Sequence, residues 1–287
     1  MISADDWPLD NRVDQVRAWL LVHLDTPFEK REANNIAQIL LEHHSGKTRV
    51  QLLFNEVSFS EMELVQLKNS LKKLVAGQPV QHVVGESHFL GFDFKVSKDC
   101  LIPRPETEEL VSWVLESITK ESNILEIGTG SGCIPIVLKK KLPGAKVSTL
   151  DVSPKAIAIA KANAEEHHAE LEFIEASIFD YKSDSLWDVV VSNPPYIPVS
   201  DKSEMAGHVL DYEPDIALFV PNSEPLKFYE AILKFCKTHL APKGKLFVEI
   251  HEAYGEECKV LFQGFFDEVI VKKDMQGKDR MIQASLI

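Results

Sequence analysis

Two short stretches of this chain hold residues whose types and spacing could do chemistry. The first is Asp188-Val-Val-Val-Ser-Asn193-Pro194-Pro195-Tyr196. Three valines after an aspartate read as a short buried strand. Neither proline can donate a ladder hydrogen bond, so the strand stops there. The result is a stiff turn at the carboxyl end of a strand, where open α/β sheets hold their ligands. The Asn193 side-chain oxygen and the Pro194 carbonyl are two acceptors that can both face a planar NH2 group. Tyr196 offers an aromatic face on which a flat substrate could stack. None of these is a strong base or a metal ligand, so the chemistry they suit is gentle. The plain alternative is a loop that merely ends a strand.

The second stretch, about sixty residues upstream, is Asn123-Ile-Leu-Glu-Ile-Gly128-Thr129-Gly130-Ser131-Gly132, followed by a helical pattern through Ile134, Val137 and Leu138. Glycines permit positive φ and a close approach of backbone to ligand. The amino end of the following helix favours a negative group such as a carboxylate. The spacing is G-x-G-x-G, not the G-x-G-x-x-G of dinucleotide-binding folds. Lys146-Val-Ser-Thr-Leu-Asp151 reads as a second strand that ends in an acid about twenty residues on, where a carboxylate can accept both hydroxyls of a ribose. A solvated strand end is the plain reading of Asp151 alone. Together, a ribose site, a carboxylate site and an Asn-Pro-Pro-Tyr turn resemble the S-adenosylmethionine-dependent amino-group methyltransferases.

Elements must position these residues, and their pattern changes along the chain. Residues 1 to about 77 read as a small helical bundle that holds a partner or a lid. Val13, Val16, Leu20, Leu21 and Leu24 fall at helical spacing, as do Ala33, Ile36, Ala37, Leu40 and Leu41. Gly46 reads as a helix carboxyl cap, and Ser60-Glu-Met-Glu63 as a capping box that opens a third helix. Residues 78–105 read as a connector with a β-hairpin around Gly91, and residues 106–287 as the cofactor-binding catalytic domain. In that domain strands and helices alternate, which implies a parallel sheet. We expect strands at 123–128, 146–151, 171–175, 188–192, 245–250, 268–272 and 280–285. The polar segment 197–222 reads as an irregular lid over the acceptor pocket. Arg104, between Pro103 and Pro105, reads first as a structural ion-pair former and second as a substrate contact.

Composition excludes several classes. The 287 residues are 45% hydrophobic, enough for one large domain and a small one. No apolar run approaches eighteen residues, and the start lacks a basic, then apolar, leader, so neither membrane insertion nor export is expected. Four widely spaced cysteines without C-x-x-C read as reduced thiols of a cytoplasmic protein. The pairs His43-His44 and His167-His168 read as surface rather than metal ligands. A net charge of −13 argues against nonspecific coating of nucleic acid.

The whole chain resembles a narrower group: the protein-(glutamine-N5) methyltransferases that modify peptide chain release factors, the PrmC/HemK family. The resemblance is carried by Ile39-Leu-Leu-Glu-His43, Gln78-Pro-Val-Gln-His82-Val-Val-Gly85, Leu101-Ile-Pro-Arg-Pro-Glu-Thr-Glu108, the loop 128–132, Asp151, Asn193–Tyr196, Tyr212-Glu-Pro214 with Ala217-Leu218, and Lys278-Asp-Arg280. It implies a class I methyltransferase fold, a Rossmann-like seven-stranded α/β sheet whose last strand is antiparallel, behind a helical amino-terminal domain. It implies S-adenosylmethionine held by Gly128, Thr129, Gly130, Ser131, Gly132, Asp151, Ser177, Ile178 and Asn193. Asn193, Pro194 and Tyr196 would carry the reaction, with Pro195 and Arg104 also on the substrate. The acceptor would be the glutamine of the Gly-Gly-Gln loop of class I release factors, met by a monomer with no direct nucleic acid, membrane or metal partner. Two departures stand out. The acid usual after the third strand is replaced by Ala176-Ser177, and His251 and Tyr254 stand where relatives carry glycine and glutamine, so roles around Glu249 do not transfer. Two rivals are kept: a methyltransferase for base amino groups in DNA or RNA, and a catalytically idle release-factor-binding protein.

Overall fold

The computed structural model describes residues 6–53, 57–204 and 207–287. The chain forms two compact units, one comprising the residues up to Gly85 with Gly207–Tyr212, the other Glu86–Ala206 with Glu213–Ile287.

In the first unit, helices α1 (Val13–Leu24), α2 (Lys30–Ser45) and α3 (Glu61–Val75) are followed by one turn, α4 (Val80–Val84). The residues at helical spacing form its core: Val16, Leu20 and Leu24 from α1, Ala37, Leu40 and Leu41 from α2, Leu67 and Leu71 from α3 are all fully buried. Ser60 and Glu63 make the reciprocal capping box. Gly46 caps α2 in the left-handed region at φ 62°. The unit is not helical throughout. A 3-10 turn spans Gln51–Leu53, and Arg12 bridges Ser58 as a single antiparallel pair. Nor is His44 a surface residue. It is half-buried, bonds to Ser70 Oγ at 2.9 Å, and burial pushes its pKa down to about 4.

The second unit opens with a hairpin, β1 (Glu86–Phe89) and β2 (Phe92–Lys95), turned by Leu90 and Gly91, both at positive φ. Pro105 then starts α5 (Pro105–Ser117). The alternation follows: β3 (Asn123–Ile127), α6 (Cys133–Lys141), β4 (Lys146–Asp151), α7 (Pro154–Glu166), β5 (Glu172–Glu175) and β6 (Trp187–Ser192). Segment 197–222 is not the irregular loop expected from its polarity. It contains β7 (Ile197–Pro198), a 3-10 helix, α8 (Gly207–Tyr212), α9 (Asp215–Leu218) and β8 (Phe219–Val220), and β7 pairs with β8 in parallel. The chain continues through α10 (Lys227–His239), β9 (Leu240–Glu249), α11 (Gly255–Gln263), β10 (Glu268–Lys273) and β11 (Asp279–Ser285).

The seven long strands form one sheet in the order β10-β11-β9-β6-β3-β4-β5, with β11 antiparallel to both neighbours and the other pairs parallel. This is the doubly wound seven-stranded topology expected. α5, α6 and α7 pack on one face, through Leu110, Val114, Ile136, Leu138 and Ala164. α10 and α11 pack on the other, through Tyr229, Ile232, Phe235 and Phe262. Buried on both sides, β6 reads as an apolar run in which only Asp188 is exposed. Strand order reverses between β3 and β6, so the loops leaving their carboxyl ends diverge and leave a crevice.

Candidate active site

The glycine loop leaves β3 at that crevice. Gly128, Gly130 and Gly132 all have positive φ. A Cβ on Gly128 would lie 3.5 Å from the Asn193 carbonyl oxygen, an ordinary contact, so the loop runs against the turn that ends β6 and it is the φ of 95° that calls for glycine. The loop is held from below. Thr129 Oγ1 lies 2.6 Å from Thr149 Oγ1, and the Thr149 hydroxyl donates to the carboxyl group of Glu126. The fully buried Asn163 donates to the carbonyls of Ser131 and Lys95 and accepts from the Lys95 amide, which ties the loop to β2.

At the end of β4, the Asp151 carboxylate accepts from the amides of Gly130 at 3.1 Å and Ser153 at 2.8 Å, one on each oxygen. Each oxygen keeps a second lone pair for a ligand hydroxyl. Burial pushes the Asp151 pKa up, while the Ser153, Gly130 and Val152 amides oppose it. Ser153 itself caps α7, with Pro154 at the first helical position.

These groups surround a cavity of about 290 Å3. Of the residues expected from sequence, Gly128, Thr129, Gly130, Ser131, Asp151, Ser177, Ile178, Asn193, Pro194, Pro195 and Arg104 all lie on its wall. Donor loop and acceptor turn therefore share one space. Gly132 does not line it. A Cβ there would meet Ala160 Cβ at 3.0 Å and Ile136 Cδ1 at 3.1 Å, so this glycine serves the packing of α6 on α7.

Tyr196 is also off the wall, contrary to the expectation that it offers its face to a flat substrate. Its hydroxyl donates to Glu249 Oε1 at 3.0 Å, and its ring meets His251 edge-on at 5.9 Å. Burial and the nearby Glu249 raise its pKa well above the usual phenol value. The physical reason is that a buried hydroxyl needs a partner, and Glu249 at the end of β9 supplies one. The aromatic surface at the cavity comes instead from Phe179 and Phe228, whose rings lie 5.2 Å apart.

Asn193 is held by its amide nitrogen, which donates to Thr107 Oγ1 at 3.0 Å. Thr107 in turn donates to Glu249 Oε2 at 2.7 Å. One strand residue earlier, Ser192 Oγ bonds to the Ile127 carbonyl at 2.7 Å and locks β6 to β3. Glu249 is 1% exposed. Burial pushes its pKa up, and the two hydroxyl donors and Arg280 pull the other way. Arg104 pairs with the buried Glu213, whose second oxygen accepts the Ile102 amide at 3.1 Å. That pair fixes the stretch before α5 to the stretch before α9, and Pro214, Ile216 and Ala217 of the latter close part of the cavity. Sequence reasoning gives Thr107, Glu213 and Phe228 no role of their own, and names Glu249 only as a position whose role does not transfer. Only the Arg-Pro-Glu-Thr-Glu and Tyr-Glu-Pro patterns signalled two of them.

Family models match at both ends of the organisation just described. The methyltransferase small domain matches residues 106–210, and the PrmC N-terminal domain matches residues 28–85. A release factor glutamine methyltransferase from Flavobacterium psychrophilum is 37% identical over 281 residues, covering 95% of this chain and 99% of the relative. One from Bacteroides thetaiotaomicron is 36% identical over 277 residues, covering 95% and 100%. Among solved structures, a methyltransferase from Pyrococcus furiosus shares the fold at a TM-score of 0.52 and 18% identity, covering 76% of this chain and 98% of that one.

Proposed function

This chain belongs to the family of release factor glutamine methyltransferases, and from that premise we propose that it transfers a methyl group from S-adenosylmethionine to the side-chain nitrogen of the glutamine in the Gly-Gly-Gln loop of class I release factors. The observation that carries this reading is the single cavity walled by both the glycine loop and the Asn193–Pro195 turn. Its residues fit the cofactor. Asp151 has lone pairs left for two ribose hydroxyls. Backbone at Gly128–Ser131 and the amino end of α6 suit a carboxylate. Ile178, Phe179 and Phe228 suit a flat apolar ring. When bound, the cofactor supplies a methyl already activated by its sulfonium.

The protein's own task is orientation. A carboxamide nitrogen is a weak nucleophile because its lone pair is delocalised into the carbonyl. The Asn193 side-chain oxygen and the Pro194 carbonyl are two acceptors on one rigid turn. Gripping both N–H bonds of the glutamine leaves the lone pair free and rewards pyramidalisation at nitrogen. The same two dipoles stabilise the positive charge that builds there as the new bond forms, the reverse of an oxyanion hole. Holding the reactants in a near-attack arrangement can supply about 7–11 kcal/mol of such a barrier. Pro194 is buried, and its ring and that of Pro195 fix the backbone so that the acceptors need not reorganise.

The test is transfer from methyl-labelled cofactor, with a class I release factor and duplex DNA offered in parallel. Label should enter the release factor only. Label in DNA, or in neither, would overturn the reading.

A further inference from the structure

We propose that Thr107 and Glu249 are positioning residues that decide which end of the Asn193 carboxamide faces the cavity. This rests on the function just proposed, and it adds two residues on other elements to the corner that performs it. A carboxamide turned by 180° exchanges an acceptor for a donor at nearly the same shape. Only one of those states can receive an NH2 group. Nothing in the Asn-Pro-Pro-Tyr turn itself selects it.

The selection is made by counting protons. Glu249 ends β9 with both carboxylate oxygens engaged, Oε1 by the Tyr196 hydroxyl and Oε2 by the Thr107 hydroxyl. Both oxygens of Glu249 accept, so Oε2 takes the one proton that Thr107 owns. Thr107 is left with a lone pair, and its remaining partner must donate. Asn193 Nδ2 fills that role at 3.0 Å. The other end, Oδ1, is thereby left for the cavity. Thr107 and Glu249 are 3% and 1% exposed, so water does not compete for these bonds, and each would be costly to leave unmade. Tyr196 enters the same count. It occupies one lone pair on the second oxygen of Glu249, and its hydroxyl is held there. The relay crosses from α5 to β6 to β9, which is why a reading of local motifs misses it.

Thr107→Val keeps the side chain's shape and removes the relay, while Thr107→Ser keeps the hydroxyl. In the full-length enzyme we expect kcat for release factor methylation to fall about 10–100-fold in the valine variant. Its cofactor Kd should stay within about threefold of the parent, and the serine variant should recover to within about fivefold. Glu249→Met frees the Thr107 proton to donate to Asn193, and should lower kcat similarly at comparable cofactor affinity. The Asn193 side-chain NH2 signals in NMR report the relay without any acceptor. One proton should exchange slowly in parent and serine variant and lose that protection in the valine variant. Equal losses in serine and valine variants, or NH2 protection unchanged by valine, would overturn the inference. A parent that shows the protected proton but does not methylate a release factor would overturn the proposed function and leave the relay standing.

Discussion

Asp151 and Glu126 are both acids near the glycine loop, yet their surroundings give them different tasks. Asp151 faces the cavity and keeps lone pairs free. Asp151→Ala should weaken cofactor binding by about tenfold or more, since it removes a charged acceptor worth ~1.5–3 kcal/mol. Calorimetric affinity equal to the parent's would refute the assignment. Glu126 is wholly buried, and its pKa is pushed from the usual 4.5 up to about 8. Its folded form keeps a proton that the unfolded chain has lost, so its contribution to stability falls as pH rises from about 4.5 to 8, and then levels off. Glu126→Gln removes that dependence. In cofactor-free protein, the stability of the variant relative to the parent should rise across this window, by at most ~1.4 kcal/mol per pH unit. A gap that stays constant between pH 5 and pH 8 would contradict it.

The sequence carries some of the site's elements openly and hides others, for physical reasons. The glycine loop and the Asn-Pro-Pro-Tyr turn are legible because glycine and proline act on the backbone at their own positions. The topology is legible because buried strands and amphipathic helices differ in period. The order of segment 197–222 is not legible locally, because it comes from β7 pairing with β8 and from Glu213 pairing with Arg104. Such partners lie far apart in sequence and leave no local period. The role of Tyr196 is hidden for a related reason: an aromatic side chain after a turn has a face and a hydroxyl, and only Glu249, 53 residues later, decides which one is used. Gly132 shows a motif residue working in packing between elements. Its φ is 81°, and a Cβ would meet Ala160 at 3.0 Å. Gly132→Ala should cost at least ~2 kcal/mol of stability from backbone strain and crowding. Gly277, at φ 84° with nothing within 4 Å, isolates the strain. Denaturant unfolding should show Gly132→Ala as the less stable of the two variants. Equal stabilities would remove the packing argument.

Across the whole molecule, the chain forms two compact units with separate cores. Forty-four acids against thirty-one lysines and arginines give an acidic protein with a net charge of −13. Among the described residues no helix is long and apolar enough to cross a membrane, and all four cysteines are buried free thiols. The methyltransferase unit places the glycine loop, Asp151 and the Asn193 turn around one cavity. In the proposed reaction the corner after β6 aims a sluggish amide nitrogen by accepting both of its hydrogens. Peptide mass spectrometry of a class I release factor, timed in single-turnover reactions with parent and Asn193→Ala enzymes at saturating cofactor, tests it most directly. We expect one methyl on a glutamine side chain, formed on the order of 10²–10³ times more slowly by the variant, with cofactor affinity little changed. A methyl on any other group, or a variant rate within about threefold of the parent, would contradict it.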